Sequence, residues 1–166
     1  MSRIGAVTLV ECRPADWNRR FEVLRSQLQG IVPTALIEHI GSTAVPDLPS
    51  KDVVDVLVGV DHDHVAETAS LLSDHEFDLE GQRAGHSWLS WPHRQERTVV
   101  VHVVEAEGQE WHDRVAFRDL LRSDSGARAR YLSVKRAAAA DATGWGEYTA
   151  RKAGIVTALL RTIHQD

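Results

Sequence analysis

A single cysteine, Cys12, occurs among the 166 residues. One thiol excludes an intramolecular disulfide framework and a cysteine-based zinc site. Lysine is nearly as scarce: 16 of the 19 basic side chains are arginine, and only Lys51, Lys135 and Lys152 are lysine. No apolar run approaches the roughly 20 residues that span a bilayer. The N-terminus also lacks the basic start and apolar stretch of a secretory leader, and the expected compartment is cytoplasmic. The formal net charge of −5 has the wrong sign for broad binding to DNA or an anionic membrane. Neither partner is expected, any anion site must be local, and oligomeric state has no signal.

What is present fits an ordinary globular chain, 43% hydrophobic and 26% charged. The length suits one domain over 1–166, sheet-rich over 1–107 and helical over 108–166. Ala6 to Val10 is a short β-leaning run. Pro14 then opens a helix on which Trp17, Phe21, Leu24 and Leu28 recur at helical spacing. Gly30 and Pro33 end it, and Ala35 to Ile40 reads as a strand. Val53 to Val60 is an almost unbroken β-branched run, the pattern of a strand covered on both faces. A helix is expected over Asp63 to Leu72, with Asp63 as its N-cap rather than His62 and His64 as a metal string. A hairpin of Phe77 to Gly81 and Ser87 to Trp91 turns near Gly85, and Thr98 to Val104 is a further strand interrupted only by His102. Helices follow over Glu110 to Arg122, Ala127 to Ala140 and Glu147 to Ile163.

Two features carry chemistry. Gly41-Ser42-Thr43 leaves a strand, and a Gly-Ser pair there can turn N–H groups and a hydroxyl toward a phosphate, although the same pair also makes plain turns. Asp55 lies thirteen residues after Ser42 and interrupts the apolar strand, sharing a face with Val53 and Leu57. An unpaired buried carboxylate costs several kcal/mol, so Asp55 must be ion-paired, metal-bound or at the edge of a cleft.

The segment HIGSTAVPDLPSKDVVDVLVGV at 39–60 closely resembles the signature of the GrpB family, which is placed in the nucleotidyltransferase superfamily. The resemblance continues through Pro14-Ala15-Asp16-Trp17, through Phe117 to Arg122, and through the pairs Tyr131 with Lys135 and Tyr148 with Lys152. It implies an α+β (α/β) fold: a nucleotidyltransferase-like mixed β-sheet flanked by helices, with a helical C-terminal part. Three positions depart from the family pattern. Asp47 stands for a usual Gly, Asp52 for a usual Pro, and Val100 for the first His of an HxH-like strand motif that keeps His102. Leu57 stands where an active superfamily member carries its second metal-binding carboxylate.

The resemblance implies a divalent cation, Mg²⁺ or Mn²⁺, shared between Asp55 and phosphate oxygens. A transition metal on His39, Asp55 and His102 ranks behind it. Asp55 and Lys152 are the catalytic candidates. Gly41, Ser42, Thr43, Lys51, Arg118, Lys135 and Tyr148 are the candidate phosphate or substrate contacts. Lys152 lies inside an apolar stripe of Tyr148, Ile155, Val156, Leu159, Leu160 and Ile163, so it points inward or snorkels. Arg114 and Arg118 can form a fork for an anion or ordinary salt bridges with Glu110 and Asp119. Trp88 and Trp91 can stack on a base or pack. Two readings stand: binding of a nucleotide or other phosphorylated small molecule with metal-assisted nucleotidyl transfer, or a non-catalytic ligand-binding or protein-interaction module on the same fold.

Overall fold

The computed structural model describes residues 7–141 and 144–165. Ala6, the first residue of the expected leading strand, lies outside them. Among the described residues of that run only Val10 pairs, in an isolated bridge to Ser50, so residues 7–10 form a tie rather than a sheet strand.

Helix α1, Pro14–Ile31, starts with proline at its first position, where a missing N–H costs nothing. Its apolar stripe buries Trp17, Leu24 and Leu28. Strand β1, Leu36–Ile40, then runs to Gly41 and a single 3₁₀ turn, Ser42–Ala44. Strand β2, Val54–Val60, is followed by a second 3₁₀ turn at His62–His64 and helix α2, Val65–Asp74. The expected Asp63 cap is corrected here. His64 precedes α2, neither helical start has a side-chain capping bond, and Asp63 sits within the 3₁₀ turn.

The hairpin is β3, Asp78–Arg83, with β4, His86–Trp91, and β5 spans Val99–Glu105. Helices α3, Gln109–Ser123, α4, Ser125–Asp141, and α5, Trp145–Ile163, complete the order. The five strands form one mixed sheet in the order β1-β2-β5-β4-β3, with β2 and β5 parallel and every other pair antiparallel.

Period-two alternation divides the strand residues between two cores. Val54, Val56, Val58, Val99, Val101 and Val103 pack against α1 and α2. Ile40, Leu57 and Val104 face the other way and meet Trp111 of α3. Val45 and Leu48, from the 41–50 segment, are held by Leu121, Tyr131 and Leu159 of the three C-terminal helices. The start of β2 is thereby caught between the sheet face and the helical end, and that junction is where Asp55 lies.

Candidate functional site

Asp55 pairs across β1 with Ile40 and across β5 with Val100, on the α3 side of the sheet. Its side chain is 31% exposed, so the carboxylate is only partly covered. Gly41 is beside it. A Cβ built on Gly41 would fall 2.7 Å from Asp55 Oδ2, and the Gly41 φ of 72° is in the region that L side chains rarely adopt. Glycine here both turns the chain and admits the carboxylate. After the turn, Ser42, Thr43 and Ala44 are buried. The helix start that would aid a phosphate grip is one 3₁₀ turn, not an α-helix.

Asp47, where the family usually has Gly, has φ of 60°, which accounts for the usual glycine. Asp52, where the family usually has Pro, accepts hydrogen bonds from Trp17 Nε1 at 3.0 Å and Arg20 Nη2 at 2.6 Å. The departure at 52 is therefore an anchor between α1 and the segment that enters β2.

The three lysines converge from distant points in the chain. Lys152 Nζ is 4.3 Å from the centroid of the Tyr148 ring and Lys51 Nζ is 4.9 Å from it. Ammonium groups at this distance are attracted by the ring's quadrupole. Lys135, only 1% exposed, donates to the Pro49 carbonyl at 2.9 Å and lies 5.5 Å from the Tyr131 ring. Burial, then the charge of Lys152, pushes Lys51 down to about 7; Asp55 acts in the opposite direction. Burial, then Lys152 and Lys51, pushes Lys135 down to about 6. The Tyr148 hydroxyl is buried without a hydrogen-bond partner among the described residues, and burial raises its titration. For Asp55, burial alone would raise the carboxyl. The His102 hydrogen bond and the charges of Lys51 and Lys152 outweigh it, holding Asp55 below its ordinary value and ionised.

Several of the sequence candidates lie apart from this cluster. His39 pairs across the strands with Val56, not Asp55, so it faces α1, where it stacks on Phe21 with centroids 4.9 Å apart. Its Nε2 meets Thr43 Oγ1 at 2.9 Å. His39 lies on the opposite sheet face from Asp55 and His102, and the Thr43 hydroxyl is hydrogen-bonded to it. Burial lowers His39 to about 4, which keeps it neutral at pH 7. Arg118 is engaged between α3 and β1. It is 8% exposed and donates to Glu38 Oε2 at 2.7 Å, the His39 carbonyl at 3.0 Å and Asp119 Oδ1 at 2.9 Å, tying α3 to β1. Arg114 pairs with Glu110 at 2.9 Å. Trp88 packs over Gly81, and Trp91 is 39% exposed on the opposite sheet face.

The donor set does not fit a two-metal centre. Leu57 is fully buried against the α3 core. Among the described residues no group of three or more His, Cys, Asp and Glu side chains is arranged to hold a metal ion. Positive charge beside Asp55 comes from lysines instead. One residue was missed by sequence reasoning. His86 Nε2 lies 3.1 Å from His102 Nδ1, and His102 Nε2 lies 3.4 Å from Asp55 Oδ1. Its signal was the hairpin register: Trp88 pairs with His102, which makes His86 the diagonal neighbour on the same face. A concavity of about 600 Å³ beside Gly59, Val60 and Ala106 lies at the far ends of β2 and β5, away from this cluster. Among the described residues no helix is long and apolar enough to cross a membrane.

Comparison with known proteins agrees with this architecture. Residues 6–162 match the family described as GrpB protein. A UPF0157 protein of Deinococcus radiodurans is 46% identical over 155 residues, covering 92% of this chain and 80% of its own. A second from Streptomyces coelicolor is 34% identical over 140 residues, covering 81% and 74%. The crystal structure of conserved protein GrpB from Enterococcus faecalis superimposes with a TM-score of 0.76 at 28% identity, covering 94% of this chain and 99% of that one. Cid1, whose structure was described for its RNA terminal uridylyl transferase activity, gives 0.51 at 16% identity over 73% of this chain and 38% of its own. That likeness concerns the fold alone. The mixed sheet, the Gly41-Ser42 turn against Asp55 and these matches together make the chain a member of the GrpB family, on a nucleotidyltransferase-like α+β fold.

Proposed function

We propose that the cleft bounded by Gly41, Ser42, Asp55, Lys51, Lys152 and Tyr148 binds a phosphorylated small molecule of nucleotide-like size. The observation that carries this reading is the pair of ammonium groups on one Tyr148 ring, 4.3 and 4.9 Å from its centroid. Two cations held together in a partly buried cleft repel one another, and an arriving phosphate relieves that repulsion while raising their proton affinity. Burial and the charges of Lys152 and Lys51 favour the neutral amine of Lys135 near them. In a chain of net charge −5, any anion site has to be local, and this cluster of lysines would supply one.

Nucleotidyl transfer is the second reading, favoured by a fold shared with Cid1. It would need Asp55 to hold a divalent cation with phosphate oxygens as partners, because Leu57 offers no second carboxylate. The binding reading asks for no metal. Isothermal titration with ATP, UTP and inorganic pyrophosphate in EDTA separates the two. Heat of binding in EDTA that is lost in Lys152→Met supports the phosphate cleft. Binding that appears only with Mg²⁺ or Mn²⁺, accompanied by pyrophosphate release, would favour transfer.

A further inference from the structure

We propose that His86 and His102 form a one-directional hydrogen-bond relay that pins Oδ1 of Asp55, leaving Oδ2 beside Gly41 to accept a hydroxyl donor from the phosphorylated ligand. The inference rests on the cleft reading above and adds a ligand feature: a free hydroxyl near the phosphate. It also gives Asp55 a role other than metal ligation.

The direction of the relay follows from what each atom can do. An ionised carboxylate only accepts, so at the 3.4 Å contact with Asp55 Oδ1 the proton must be on His102 Nε2. A neutral imidazole with a protonated Nε2 has a bare Nδ1. His102 Nδ1 therefore accepts from His86 Nε2 at 3.1 Å, and His86 Nδ1 is bare in turn. Among the described residues His86 Nδ1 is buried with no hydrogen-bond partner, which a bare nitrogen at that position accommodates. The nearest acidic oxygen, Glu110 Oε1, is 3.8 Å away, too far for a hydrogen bond.

Both rings are held neutral near pH 7. Burial is the leading cause in each case; it lowers His86 to about 3, with His102 next and Arg114 after it. His102 moves in the same direction, with Arg114 as the second cause. The charged and titratable groups facing the pair are Asp55 from β2, Glu110 and Arg114 from α3, and Arg83 from β3. The two oxygens of Asp55 thus differ. Oδ1 is taken by a relay anchored in the sheet, while Oδ2 lies against the Gly41 turn. A donor there, next to a phosphate on Lys51 and Lys152, is a hydroxyl of an alcohol, sugar or nucleoside phosphate.

Two measurements on the full chain test this. Long-range ¹H–¹⁵N spectra at pH 7 should show both His86 and His102 as the tautomer protonated at Nε2; His102 protonated at Nδ1 would overturn the relay. Titration with glycerol 3-phosphate against inorganic phosphate should show a preference of about tenfold for the hydroxyl-bearing probe, the size expected for one hydrogen bond to a carboxylate. The preference should fall toward unity in Asp55→Asn and His86→Phe, and return partly in His86→Gln, whose amide N–H can still donate. An unchanged preference in those variants would overturn the inference while leaving the cleft reading intact. If neither probe binds, the cleft reading fails and takes the hydroxyl site with it, while the tautomer spectra of the wild-type chain still decide the relay.

Discussion

Gly41 and Asp55 occupy each other's space: a Cβ on the glycine would stand 2.7 Å from the carboxylate oxygen Oδ2. Gly41→Ala must move Asp55 and also bear a positive φ. We expect a stability loss of about 1–3 kcal/mol together with weakened binding of phosphate probes. Urea denaturation and calorimetry on the same variant check both effects. A variant of wild-type stability that binds probes normally would show that the contact is not constraining.

Arg118 should separate stability from binding. It is nearly buried and holds Glu38, Asp119 and a β1 carbonyl, so Arg118→Met leaves several polar groups unpaired between α3 and β1. A loss of about 2–4 kcal/mol is expected, with probe affinity per folded molecule unaltered. Binding that collapses while the denaturation midpoint stays fixed would return Arg118 to the list of ligand contacts.

The fold was legible in the sequence wherever a pattern had one physical solution. The β-branched run at 53–60 admits only a buried strand, and Asp55 within it demanded a reason. The stripe around Lys152 left that amine pointing inward or snorkelling, and it lies over the Tyr148 ring. Reasoning failed where the outcome depended on register. His39 and Asp55 both flank the loop in sequence, yet pairing of Ile40 with Asp55 sends His39 to the opposite face. His86 escaped notice because its link to His102 exists only once β4 and β5 are aligned. Arg118 looked like half of an anion fork because helical spacing shows which residues share a face, not which partners bury them.

Lys135 gives a stability signature with a definite sign. Its folded-state value of about 6 is far below the ordinary lysine value, so between those limits the unfolded chain binds a proton that the folded chain does not. Stability contributed by this group therefore rises as pH increases from about 6 toward 9, by at most about 1.4 kcal/mol per pH unit. Guanidinium midpoints across that range should climb in the wild type and climb less steeply in Lys135→Met, where Lys51 still contributes. A flat wild-type profile would mean the ammonium remains charged in the fold.

Asp52 predicts a pH dependence of the same sign, but in the acid range. Burial would raise its carboxyl, but the bonds from Trp17 and Arg20 prevail and depress it. The contribution is complete above the ordinary carboxylate range and is lost as pH falls through the depressed value. Asp52→Ala should cost about 1–2 kcal/mol at pH 7 and much less in strong acid. Equal costs at both pH values would contradict the pairing.

The central claim is that lysines, not metal ions, supply the positive charge of the cleft. Its most direct test is calorimetric titration of the wild type, Lys51→Met and Lys152→Met with pyrophosphate in EDTA. Saturable binding by the wild type, weakened at least about tenfold in each variant, is the predicted result. No binding by the wild type, or binding equally strong in all three proteins, would contradict it.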